Sequence, residues 1–201
     1  MSLDLEKQLT FYGAYHHNSV NIGIHMCCVP LILATSLLLA TNSPTLIPLP
    51  EWLTIPYLPP NAGTIGAVLY AGFYMLLEPF AGTCLLPVII GWTAYANKMT
   101  IEHTSTANQV SIAVFVVSWI LQFVGHGVYE GRAPALLDNL LQALVLAPFF
   151  VFMEFLFKVF GYRPELQKRI NVAVENEIKK FKAEKAEKAN GNGAVKNGKA
   201  Q

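Results

Sequence analysis

The chain has 201 residues and a formal net charge of +1, with 53% hydrophobic and 13% charged residues. That balance averages two unlike regions: residues 1–160 carry four Lys/Arg against eight Asp/Glu, whereas residues 161–201 carry ten Lys/Arg and five Glu. The first region is too apolar for an ordinary soluble domain and suggests a bilayer. In the second, Glu175 with Lys179 and Glu184 with Lys188 at helical spacing speak against nucleic acid and for a solvated helix beside anionic lipid heads.

From the N-terminus, Leu5, Leu9, Tyr12 and His16 follow an i, i+4, i+7, i+11 pattern and share one helix face, from which His17 points away. No basic segment precedes an apolar run, so no cleaved signal peptide is expected. Asn18-Ser19 reads as a break and a new N-cap, after which Asn21 and His25 lie one turn apart. A membrane-spanning helix needs roughly 20 mostly apolar residues. Stretches near that length run Ile22–Thr41, Ala62–Leu77, Phe80–Tyr95, Val110–Val124 and Leu136–Phe160.

Between the first two, Pro48, Pro50, Pro56, Pro59 and Pro60 dictate a loop that sets Trp52 and Tyr57 at the interface. The second and third are separated only by Glu78-Pro79 and read as a tight hairpin, one kinked span or a re-entrant pair. Pro164–Lys188 reads as an exposed helix, and Asn190-Gly-Asn-Gly starts an unstructured end. Cys27, Cys28 and Cys84 lack C-x-x-C spacing and read as small apolar residues. The expected fold is thus all-α and polytopic, with about five membrane segments. Residues 1–163 form a helical membrane domain and residues 164–201 a basic tail.

An ionisable side chain at the centre of a spanning helix costs roughly 2.5–3.5 kcal/mol on insertion scales, so polar placements are informative. Gln122, His126 and Glu130, spaced i, i+4, i+8, form one stripe on a continuous helix, and Gly125 and Gly127 flank the histidine so that a helix or substrate can approach. His16, Asn21 and His25 form a second cluster. Each histidine alone reads more often as a packed or interfacial residue than as a ligand. With five spans, however, the start of the first and the end of the fourth share one side, so His16, His25, His126 and Glu130 can meet.

Imidazoles with one carboxylate suit iron(II) or zinc, and Asn21 and Gln122 would orient the ligands. His103 ranks lower, because the 23 residues separating it from His126 span about 34 Å of helix. His17 ranks lower for its phase. Hydrolase and nucleotide signatures, H-E-x-x-H, G-x-S-x-G, a P-loop and the Rossmann glycines, are absent. Five scattered histidines also cannot fill the boxes of a two-iron membrane desaturase.

Two long motifs carry a resemblance: Phe11-Tyr-x-x-Tyr-His-His-Asn18 with Asn21-x-x-x-His25 and Pro30, and Trp119-Ile-x-Gln-Phe-Val-Gly-His-Gly-Val-Tyr-Glu130 with Pro134-Ala-Leu and Asp138-Asn-Leu. Leu144-Val-Leu-Ala-Pro148 and Glu154-Phe-Leu-Phe-Lys158 follow. From about Leu5 to Lys158 the chain resembles the fungal endoplasmic-reticulum 2-hydroxy fatty acid dioxygenases. That resemblance implies an Fe2+-dependent α-oxidation in phytosphingosine degradation, in which a long-chain 2-hydroxy acid and O2 give a fatty acid one carbon shorter. It implies histidine at the positions of His16, His25 and His126, and variation at that of His17.

A 2-hydroxy acid can chelate one iron through its carboxylate and hydroxyl, leaving a place for O2 beside three protein ligands. Glu130 would complete the ligand set or act as a base. Arg132 would pair with the carboxylate or else face lipid headgroups. The spans would hold the acyl chain, so that substrate enters sideways from membrane lipid. The alternatives are a non-enzymatic lipid-binding or membrane-shaping protein and a zinc enzyme on the same ligands. Five full crossings would set the Lys-rich tail opposite the site, unless one segment folds back.

Overall fold

A computed structural model describes residues 3–131 and 140–197 of the chain. Among them the architecture is helical throughout: α1 (Leu5–Tyr15), α2 (Ser19–Ala40), a 3-10 turn (Glu51–Leu53), α3 (Ala62–Leu77), α4 (Pro79–Glu102), α5 (Thr104–Val124) continued by a π-helical turn (Gly125–Glu130), α6 (Leu140–Phe160) and α7 (Pro164–Asn197). Three stretches, Ser19–Ala40, Pro79–Glu102 and Thr104–Glu130, are long and apolar enough to cross a membrane, and Ala62–Leu77 is a shorter apolar helix. Val110, Val117, Ile120 and Phe123 stand exposed on α5, which suits lipid as the neighbour.

Local chemistry sets the boundaries. The Asn18 side chain accepts from Val20 N–H and opens α2, the break expected at Asn18-Ser19. Asn61 caps α3 by accepting from Thr64 N–H. Glu78 caps α4 by accepting from Ala81 N–H at 2.6 Å, with Pro79 in the first helical turn where its missing N–H costs nothing. The Glu78-Pro79 junction is therefore a hairpin of two separate helices, closely packed because Gly82 lies on the backbone of Tyr74 and Met75. Inside α6, Pro148 deprives the Leu144 carbonyl of its helical donor. The Tyr70 hydroxyl reaches that carbonyl at 3.4 Å, and the fully buried Tyr74 donates to the Val145 carbonyl at 2.7 Å.

The up-and-down course of α2 to α5 separates two ends. At one, Thr41, Asn61, Thr64, Asn97 and Thr100 form a buried hydrogen-bonded knot, with Asn61 Nδ2 donating to Asn97 Oδ1 at 2.6 Å and Thr41 Oγ1 2.8 Å from Thr100 Oγ1. Interhelical bonds of this kind hold spans together where apolar contact alone is not selective. At the other end lie the α1–α2 elbow, the α3–α4 hairpin and the π turn after α5.

Tyr162, just beyond α6, donates to Glu78 Oε1 at this same end, and Arg163 approaches that oxygen at 3.5 Å. The chain from Glu130 to Tyr162 thus makes no net crossing. α7 returns onto α1, burying Leu166 and Ile170 in the core, setting Val174 against Gly13, and pairing Arg169 with Glu6. The Lys-rich tail and the α1–α2 elbow consequently share a face, the arrangement expected if one segment folds back. α6 is apolar because Leu146, Phe149 and Met153 are fully enclosed by protein.

Candidate metal centre

His16 ends α1, His25 lies two turns into α2, and His126 sits in the π turn after α5. Their ring centroids are 4.2 Å (His16–His25), 4.8 Å (His16–His126) and 4.9 Å (His25–His126) apart, each pair close to perpendicular. One nitrogen from each lies within 4.8 Å of the others, and all three residues are buried. His16 Nδ1 bonds the Tyr12 carbonyl at 2.8 Å, and His25 Nδ1 bonds the Asn21 carbonyl at 2.9 Å. A carbonyl only accepts, so both Nδ1 atoms carry the hydrogen and both Nε2 atoms keep a lone pair. Among the described residues the buried Nε2 of His16 has no partner. Burial, with His25 adding, holds the His16 imidazole well below its ordinary pKa, so it is neutral near pH 7. Tyr12 stacks on it at 3.9 Å. Neutral, pre-oriented imidazoles fit a metal ion such as iron(II) or zinc.

Among the described residues this group consists of the three histidines, and Glu130 is not in it. The Glu130 carboxylate, fully enclosed, instead closes the elbow: Oε1 accepts from the backbone N–H of His17 at 2.8 Å and of Asn18 at 2.9 Å, and from Asn21 Nδ2 at 3.1 Å. A carboxylate on free amides at a helix N-terminus is a favourable arrangement. Oε2 faces His17 Nδ1 at 2.7 Å, at an ion-pair distance but without hydrogen-bond direction.

Spacing alone puts His126 and Glu130 on one stripe of a regular helix. The π turn has more residues per turn, so Glu130 falls short of a full turn from His126 and points to the elbow. Asn21 meets both, bonding Glu130 through its amide and His25 through its carbonyl. His17 is half exposed at the rim, and His103 caps α5 at the far end of the bundle. Arg132 lies outside the described residues.

Of the two glycines flanking His126, only Gly125 meets a neighbour among the described residues. A Cβ there would sit 2.3 Å from Asn21 Oδ1, whereas Gly127 faces open space. Gly125→Ala should therefore push the π turn off α2 and lower metal affinity by at least about tenfold, while Gly127→Ala leaves it unchanged. Titration of both variants with the metal, followed by spectroscopy or calorimetry, checks this contrast.

The triad opens into an apolar cavity of about 400 Å³ between α2, α3, α5 and α6, lined by Val29, Ile32, Ser36, Tyr70, Trp119, Phe123 and Phe150 among others. Sequence periodicity gave no hint of it, because its walls come from five helices, Phe11 and Tyr12 of α1 among them. Gln122, buried and lining the cavity beside His126, has neither its amide oxygen nor its nitrogen hydrogen-bonded among the described residues. It bonds none of the histidines it was expected to orient. An unpaired buried amide costs roughly 1–3 kcal/mol, so this one points to a polar guest.

Residues 2–159 match the family described as Mpo1-like, 2-hydroxy-palmitic acid dioxygenase Mpo1-like. The chain is 39% identical over 166 residues to the 2-hydroxy-palmitic acid dioxygenase MPO1 of Saccharomyces cerevisiae, covering 82% of this chain and 86% of that protein. No solved structure matches it significantly.

Proposed function

This chain belongs to the Mpo1-like family of 2-hydroxy-palmitic acid dioxygenases, and from that premise we propose that it oxidises long-chain 2-hydroxy fatty acids to acids one carbon shorter, with iron(II) on His16, His25 and His126. The observation that carries the reading is the buried triad, its Nε2 atoms unprotonated on His16 and His25, at the head of an apolar cavity inside a membrane bundle. Written out, R–CH(OH)–COOH and O2 give R–COOH, CO2 and H2O. The bond between carbons 1 and 2 breaks, carbon 2 rises to carboxylic acid, and the four electrons lost by carbon reduce O2, so no further reductant enters the balance. The metal, when bound, supplies the means of activating O2.

The protein's part is binding, orientation and exclusion of water. The tautomers of His16 and His25 are fixed by the Tyr12 and Asn21 carbonyls. Gln122 presents a donor and an acceptor, one for the carboxylate of the acid and one for its α-hydroxyl, while Arg132 pairs with the carboxylate. The acyl chain lies among the apolar residues of α2, α3, α5 and α6. Since α5 and α6 both pack on α2, the substrate enters from the bilayer between them. Glu130 and His17 brace the elbow, with no direct part in the reaction. The Lys-rich α7 places the triad's face toward the cytosol by the positive-inside rule, and the endoplasmic reticulum is the expected membrane.

The deciding experiment supplies detergent-purified, iron-loaded protein with 2-hydroxypalmitate and follows O2 uptake and the acids formed. Appearance of the C15 acid with equimolar O2 consumption supports the reading, and its absence from folded, iron-loaded protein ends it. Gln122→Leu is expected to keep iron and to raise KM for 2-hydroxypalmitate by about tenfold or more, the loss typical of a polar substrate group left unpaired. Loss of iron in this variant would instead return Gln122 to orienting a histidine.

A further inference from the structure

The far end of the cavity lies next to the polar knot that joins α2 to α3. His25 stands at its head and Ala40 at its foot on the same helix, so the cavity follows α2 for fifteen residues, or about 22 Å. At the foot its walls are Ala40, Ala62 and Gly66, whose small side chains leave the space open. Immediately beyond, Gly63 lies against the backbone of Leu37 and Thr41, so close that a Cβ there would meet Thr41 Cγ2 at 2.6 Å. Asn61, bonded to the Thr41 carbonyl and to Asn97, ties α2, α3 and α4 together just past this point. The buried His16 Nε2, without a partner, and the unpaired Gln122 amide mark the opposite end as the place for a polar head.

We propose that Gly66, with Ala40 and Ala62, is the chain-length ruler of the enzyme: the methyl end of the acid stops against these residues. The inference rests on the function proposed above and adds to it which acids fit. An extended sixteen-carbon acid, advancing about 1.25 Å per carbon, measures about 19 Å and fills the space from triad to foot. Gly66 sets the limit because it lines the foot of the cavity beside Leu37. A Cβ at Gly66 sits 3.6 Å from Leu37 Cδ2, an ordinary contact, so a side chain there grows into the cavity without displacing the backbone.

The test compares wild type, Gly66→Ala and Gly66→Leu, all iron-loaded, on 2-hydroxypalmitate and 2-hydroxylaurate. In Gly66→Leu, kcat/KM for the C16 acid should fall at least about tenfold relative to that for the C12 acid, which stays within about twofold of wild type. Gly66→Ala should retain both activities. Equal loss on the two acids would make Gly66 a packing residue and overturn the proposal. No change on either would also overturn it, by showing that the chain leaves the cavity sideways before reaching the foot. A wild-type protein that converts neither acid defeats the function itself, an outcome separate from failure of the ruler.

Discussion

Replacing His126 with alanine is expected to remove iron binding and O2 consumption together, by more than about 100-fold each, while the metal-free protein stays folded. The imidazole is one of the three buried histidines of the proposed metal centre, and loss of a ligand costs more than the roughly 10–100-fold usual for removing an outer hydrogen-bonding partner. The fold should survive because the ring lines an existing cavity, so its removal enlarges a void and breaks no packed layer. The thermal midpoint of the metal-free form should move by only a few degrees, roughly what about 1 kcal/mol produces in a domain of this size. Iron content, O2 uptake and helical circular dichroism of the same preparation measure all three. Full O2 consumption by the alanine variant would place the chemistry elsewhere.

Glu130→Leu is expected to cost stability and metal together. The carboxylate is the shared acceptor for His17 N–H, Asn18 N–H and Asn21 Nδ2, and leucine leaves these donors at the elbow without it. Removing one partner of a buried charged network costs about 3–5 kcal/mol. The lower end applies here because His17 is partly exposed to water. Glu130→Gln separates the possible roles. Its carbonyl oxygen can still accept from the two backbone N–H groups, so a bracing residue predicts retention of iron and most of the turnover. A metal ligand or general base predicts a glutamine variant as inactive as His126→Ala. Thermal unfolding of the metal-free variants, with iron affinity measured in parallel, distinguishes these results.

The two clusters of polar residues at membrane boundaries were legible because apolar segments contain so few of them. Asn18-Ser19 carried its own cap chemistry, and the phase of Leu5, Leu9, Tyr12 and His16 assigned His16 rather than His17 to the interior. Glu130 was harder to read. Its spacing from His126 assumed a regular helix, and the π turn that redirects it has no signature in Gly125–Glu130. Gly125 and Gly127 look alike in sequence and differ only in what stands opposite.

The sequence by itself determined a helical membrane protein and the histidines able to meet, because hydropathy, caps and helical phase are local properties. Tertiary structure decided that α6 ends on the face where α5 ends, that the tail and the triad share that face, that Glu130 accepts the elbow's N–H groups, and that side chains from α1, α2, α3, α5 and α6 line one cavity. These depend on packing between residues as much as 163 positions apart, where the free energy of a contact is set by the neighbour and not by the residue that makes it.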